Sequence, residues 1–125
     1  MSVRVTWDNL KKTTLRVDCE GQWDWAEYSR AIEESLAGMS GEKPTANFII
    51  NLSSEARAPI EDDLSSLEHS TRLLSDITGF VVIVGGSPSA RALLGILYRT
   101  FAKAGKPAML AHSVEEGRLK LAALG

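Results

Sequence analysis

A chain of 125 residues is the size of one domain with a single core, and 44% hydrophobic against 24% charged residues is the balance of a folded protein, not a disordered one. The formal net charge is −2 with Lys and Arg scattered among the acids, so the broad basic footprint that nucleic-acid binding needs is missing and no such partner is expected. One cysteine, Cys19, excludes an internal disulfide and leaves too few thiolates for a zinc or iron–sulfur centre, which suits a reducing cytoplasm.

Val3, Val5 and Trp7 alternate with Arg4 and Thr6, and Leu15, Val17 and Cys19 alternate with Thr14, Arg16 and Asp18. Two period-two segments around Asp8-Asn9 predict an antiparallel hairpin with one buried face. Met1 to Asn9 has no basic start followed by an apolar stretch, so no secretory signal is expected. Beyond Gly21, Asp24 is placed as a helix N-cap, with Glu27 at the capping-box position and Trp23 and Tyr28 at the two positions of a hydrophobic staple. Trp25, Tyr28, Ile32, Leu36 and Met39 then give one apolar stripe that ends at Gly38 and Gly41.

Phe48 to Leu52 is a short apolar run suited to a central strand buried on both faces. A polar loop from Ser53 to Glu61 follows, and Leu64, Leu67, Thr71 and Leu74 space a second helix that ends before Gly79. Phe80 to Val84 is rich in β-branched residues and closed by Gly85-Gly86, which predicts another buried strand. Ser87 and Pro88 suit the cap and first turn of a third helix that runs to about Lys103, before Gly105 and Pro107. Its apolar part, Ala90 to Ala102, is interrupted by Arg91 and Arg99 and falls short of the roughly 20 apolar residues that span a bilayer, so no membrane span is expected. Ala108 to Ala111 reads as a last strand, and Ser113 with Glu116 as the capping box of a final helix bearing Val114, Leu121 and Leu124. The fold class expected is α/β: residues 1–125 as a single domain, an N-terminal β-hairpin followed by alternating helices and strands, a mixed five-stranded sheet and four helices.

That order of elements, with the strand Phe48 to Leu52 running into Ser53-Ser54, resembles the STAS domain of anti-sigma-factor antagonists and sulfate-transporter tails. The Trp7-Asp8 hairpin, the Gly21-Gln22-Trp23-Asp24-Trp25 approach to the first helix and Val84-Gly85-Gly86 before the third are similar to those of small stand-alone bacterial STAS-like proteins. The resemblance implies a STAS-like fold and a non-enzymatic, cytoplasmic protein-interaction or regulatory role. In the regulatory members the strand ends in Asp-Leu-Ser, matched here by Asn51-Leu52-Ser53, and an Asp-Ser-Ser-Gly motif follows whose serine is phosphorylated. Here Pro59, Ile60, Glu61 and Asp62 stand in its place. Such a switch depends on a neutral hydroxyl that gains charge on phosphorylation, so the switch is not inherited. Asp62 and Asp63 are acids of a kind that any helix N-terminus favours.

The residues that can carry chemistry are few. Nucleophilic catalysis requires a nucleophile, a base within reach and an orienting group, and nothing in the spacing brings His69 or His112 beside Cys19 or a serine. No catalytic residue, metal or cofactor is expected. Gly85, Gly86, Ser87, Ser89 and Arg91 form a glycine-rich turn at a helix N-terminus, read first as an ordinary capped turn and, as the alternative, as a candidate anion site. A small anion or a lipid-like molecule is the alternative ligand. Trp23 and Trp25 flank the first cap and read as a staple plus a core residue or, as the alternative, with one of them exposed as an aromatic anchor for a protein partner. Leu93, Leu94, Ile96, Leu97, Tyr98 and Phe101 wrap more than half of the third helix. Either neighbouring elements bury that excess or a second subunit does, so Leu94, Tyr98 and Phe101 join the two tryptophans as the candidate interaction surface, with a homodimer through this helix as one outcome.

Overall fold

The alternating segments at the start of the chain form β1 (Val3–Trp7) and β2 (Thr14–Cys19), paired antiparallel with Val5 opposite Val17. The computed structural model describes residues 3–10, 13–21, 23–37, 46–52, 64–75, 78–85, 91–106 and 108–124. After the hairpin come α1 (Trp25–Ala37), β3 (Ala46–Leu52), α2 (Leu64–Ser75), β4 (Thr78–Val84), α3 (Arg91–Lys103), β5 (Ala108–Ala111) and α4 (Val114–Leu124). The strands lie in sequence order, β1-β2-β3-β4-β5, and every pairing after the hairpin is parallel. This is the mixed five-stranded α/β sheet with four helices that the sequence pattern predicts. Among the described residues no helix is long and apolar enough to cross a membrane.

Strand order fixes the layers. Parallel strands added consecutively in one direction by right-handed crossovers place every connecting helix on the same face of the sheet. Accordingly α1, α2 and α3 share one face, and their Tyr28, Ile32, Leu67, Leu93, Leu97 and Phe101 pack with Leu15, Val17, Phe48, Ile50, Val81 and Ile83 of the strands into the main core. Side chains alternate across a strand, so Ile49, Val82, Val84 and Ala111 point the other way and form a second, smaller core with Leu121 of α4. β3 is central and buried on both faces, as its sequence implies. Phe80 departs from the expectation of a fully buried β4: it is 46% exposed. Its parity with Val82 and Val84 puts it on the α4 face, where one short helix covers less of the sheet than three do.

Local chemistry sets the ends of the elements. Asp24 Oδ1 accepts from Glu27 N–H at 2.7 Å, and Trp23 stacks on Tyr28 at 6.1 Å between ring centroids, so the cap and staple of α1 form as read from the sequence. Glu27 Oε2 accepts from the backbone N–H of Val3 at 3.1 Å, which ties the start of β1 to α1. At α4, Ser113 Oγ accepts from Glu116 N–H, and Glu116 Oε2 accepts from His112 N–H, one residue earlier than a capping box predicts. α3 ends in paired bonds, Gly105 N–H to Ala102 O and Lys106 N–H to Phe101 O, with Gly105 at φ +79°: the left-handed C-terminal turn that glycine permits at little cost. Gly117 lets α4 approach β4 closely, since a Cβ there would lie 3.1 Å from Val82 Cγ1. Met39, the Ser53-to-Glu61 loop, Asp62 and Asp63, and the Ser87-Pro88 cap lie outside the described residues.

Candidate binding surface

α2 and α3 lie side by side on the main face, and the cleft between them is a groove of about 600 Å³, open to solvent. Glu68, Thr71 and Arg72 line it from α2, and Ile96, Arg99 and Lys103 are among the residues lining it from α3. Spacings of three and four put Ile96, Arg99 and Lys103 on one flank of α3, about a third of a turn away from the core ridge Leu93, Leu97 and Phe101. The threonine hydroxyls are turned inward to their own helices: Thr71 Oγ1 donates to Leu67 O at 2.8 Å and Thr100 Oγ1 to Ile96 O at 2.8 Å. With those protons committed, the walls between the charged tips are mainly hydrocarbon. Three cations, Arg72, Arg99 and Lys103, face one carboxylate, Glu68. Neither Arg99 nor Lys103 has an acidic partner among the described residues. Tyr98 sits at the margin, 41% exposed.

The residues expected at an interaction surface divide. Tyr98 is exposed and Leu94 half-buried against the core, but Phe101, at 1%, is part of the core itself. Both tryptophans are also buried, Trp23 at 4% and Trp25 at 2%, which bears out the staple-and-core reading and removes both from the candidate interaction surface. Trp23 precedes the helix, so its direction is not bound by the helical step, and its ring turns back to meet Trp25 edge-on at 5.0 Å. The apolar breadth of α3 is used within the chain: Leu93, Leu97 and Phe101 are buried, and Leu94 and Ile96 pack against the same core. Neighbouring elements therefore bury most of what a second subunit was expected to bury.

Of the candidate anion turn, Gly86, Ser87 and Ser89 lie outside the described residues. Gly85 N–H donates to Ala111 O at 3.1 Å, extending the β4–β5 ladder, so this amide does not face a ligand. Arg91 is exposed at the start of α3.

Cys19 and the histidines fall apart in space. Cys19 is buried on the main face, where burial first, then the charges of Asp18 and Glu27, push its thiol far up and keep it protonated. His69 Nε2 lies 3.0 Å from Glu33 Oε1 in a surface contact between α2 and α1, and His112 Nδ1 lies 3.4 Å from Glu116 Oε2. Tyr28 lies fully buried beside Trp23 and Trp25, and its hydroxyl and both indole N–H groups have no hydrogen-bond partner among the described residues.

The half of the sheet that α4 leaves open is polar. Arg118 of α4 grips Asp8 with Nε and Nη2 at 2.9 and 2.7 Å, Arg16 Nε donates to Asp18 Oδ1 at 2.9 Å, and Asn51 Nδ2 donates to the same oxygen at 2.8 Å. The hydrogen bonds from Arg118 hold Asp8 below the usual carboxylate range against the opposing effect of burial, and the charges of Arg118 and Arg16 add to it. Opposite charges are matched here, so this face is closed on itself chemically while the α2–α3 groove is not.

Sequence reading alone did not find the groove. The available signal was the mixed flank Ile96, Arg99 and Lys103 on α3, but its partner wall depends on how α2 packs beside it. Fold and surface together define a mixed α/β sandwich with three helices on one face, one on the other, and a cationic groove between two of the three. No family model, curated protein or solved structure matches the chain.

Proposed function

We propose that this chain is a non-enzymatic, cytoplasmic protein-interaction domain of regulatory type that works through the face formed by α2 and α3. The observation that carries the reading is the groove itself: a cleft of about 600 Å³ with hydrocarbon walls, cations on both sides and an exposed tyrosine at its margin. Tyrosine and arginine are the residue types that most often dominate binding energy at protein interfaces. The placement of the nucleophilic groups supports the same reading, since Cys19 is buried and protonated while His69 and His112 sit in separate surface contacts with Glu33 and Glu116. The STAS-like element order supports it further, with the interaction role carried on a helix face in place of the missing phosphoserine.

The test is comparative capture from the lysate of the source cells, using tagged wild type, the double variant Arg99→Glu/Lys103→Glu, and Glu115→Lys on α4 as a control for charge reversal elsewhere. The expected result is a protein enriched by wild type and by the control and lost with the double variant. Identical enrichment by all three chains removes the α2–α3 face from the function.

A further inference from the structure

The groove between α2 and α3 differs from the other concave sites in how its charges and hydrogen bonds are spent. Around Asp8 and Arg118 the cavities of about 340 and 300 Å³ are lined by groups already paired with one another. In the α2–α3 groove the two threonine hydroxyls are satisfied within their own helices, while Arg99 and Lys103 have no acidic partner among the described residues. Arg99 and Lys103 are one helical turn apart, a spacing at which like charges repel and weaken a helix. Every charged residue of α3 is basic, with Arg91 completing the set. No acid among the described residues relieves this repulsion; a carboxylate laid between Arg99 and Lys103 removes it.

The walls specify the rest. Both are helices, whose backbone groups are bonded within the helix, so no strand-like peptide can gain main-chain hydrogen bonds here as it would at a sheet edge. An occupant must satisfy its own backbone and offer side chains. A helix does both, and a slot between two helices takes apolar side chains from one stripe of a third at steps of three, four and seven.

We propose that the occupant of the α2–α3 groove is an acidic amphipathic helix of a protein partner, its apolar stripe lying along Ile96 and its carboxylates against Arg99 and Lys103. This rests on the reading of α2 and α3 as the binding face and adds the chemistry of what binds there. Because the charged pairs lie at a solvent-exposed rim, they act chiefly on association and on choice of partner, and their contribution is screened by salt.

The experiment uses the full chain and a synthetic, fluorescently labelled peptide of about 18 residues, long enough for a helix to persist. The peptide carries leucines at helical spacing flanked by glutamates, and a control replaces every glutamate with lysine. Fluorescence anisotropy should show the acidic peptide binding wild type about tenfold or more tightly than the basic control, with the difference shrinking between low and high salt. Arg99→Glu/Lys103→Glu, both exposed positions whose fold is checked by circular dichroism, should reverse the preference. Equal affinity for the two peptides, absence of binding to either, or a preference unchanged in the double variant overturns the proposal. So does full displacement of the acidic peptide by an equimolar long-chain fatty acid, which would make the occupant a small amphipathic acid. If the peptides fail while capture of a cellular protein still depends on Arg99 and Lys103, the binding face stands and only the acidic-helix chemistry falls.

Discussion

Replacing Tyr28 with Phe should make the protein more stable. Tyr28 is fully buried, packed edge-on against Trp25 at 5.5 Å and stacked with Trp23, and its hydroxyl has no hydrogen-bond partner among the described residues. In water that hydroxyl is hydrogen-bonded, and stranding such a group in the interior costs about 1–3 kcal/mol. Phe keeps the ring and every ring contact and removes the stranded oxygen, leaving a void smaller than a methyl group. Taking the lower end of the range, the gain is about 1 kcal/mol. With an unfolding entropy of about 2 cal/mol/K per residue, a domain of this length melts about 4 °C higher for each kcal/mol. Urea unfolding followed by circular dichroism should therefore give a higher midpoint with an unchanged slope, and calorimetry a higher melting temperature. Loss of about 1 kcal/mol or more in Tyr28→Phe would refute the reasoning, because it would mean that the hydroxyl holds a partner in solution. Alkaline titration offers a second readout: burial, aided by the neighbouring Cys19, pushes the phenol well above its ordinary range, so the 295 nm absorbance step of Tyr28 should wait for unfolding.

The other expectations concern separate parts of the molecule. Cys19, buried and held protonated, should not react with a thiol reagent at pH 8 in the native protein and should react at once in denaturant; rapid native labelling would contradict its placement. Gly95→Ala should raise stability by about 0.5–1 kcal/mol, since the added Cβ meets only Arg99 Nη1 at 3.6 Å in a helix interior where Ala is preferred. Gly117→Ala, with the same helical gain but a 3.1 Å approach to Val82, should fall below Gly95→Ala by about 1 kcal/mol or more, and equal effects would refute the close-packing argument for α4. Arg118→Ala should cost about 1 kcal/mol at neutral pH, a figure kept low because half of the Arg118 side chain is in water. Asp8 has a folded pKa below its unfolded value of about 3.9, so its contribution is present above that value and fades as pH falls through the folded one. The acid-unfolding curves of wild type and Arg118→Ala should therefore converge at low pH, and a gap that persists there would contradict the linkage.

Much of the fold was readable because periodicity and caps are local. The alternation in Val3 to Trp7, the Asp24 cap with its Trp23–Tyr28 staple, and the β-branched run ending at Val84 each specify an element from within a few residues. The surface was less readable because exposure is decided by neighbours distant in sequence. Helical phase alone suggested that Trp23 and Trp25 diverge, yet the free backbone ahead of the cap lets Trp23 fold onto Trp25. Phe80 looked like core within an apolar run, and only the layer count of the two sheet faces exposes it. Arg99 and Lys103 gave no signal as scattered charges, since their meaning depends on α2 standing opposite. The pairing of Asp8 with Arg118 spans the length of the chain and has no local signature.

Hydrogen exchange on the complex with the captured partner tests most directly whether the α2–α3 face is the binding surface. Slowed exchange confined to peptides covering residues 64–75 and 91–106, with the β1–β2 hairpin and α4 unchanged, is the predicted result. Protection centred on α4 or on the polar face around Asp8 and Arg16, with α2 and α3 unaffected, would contradict it.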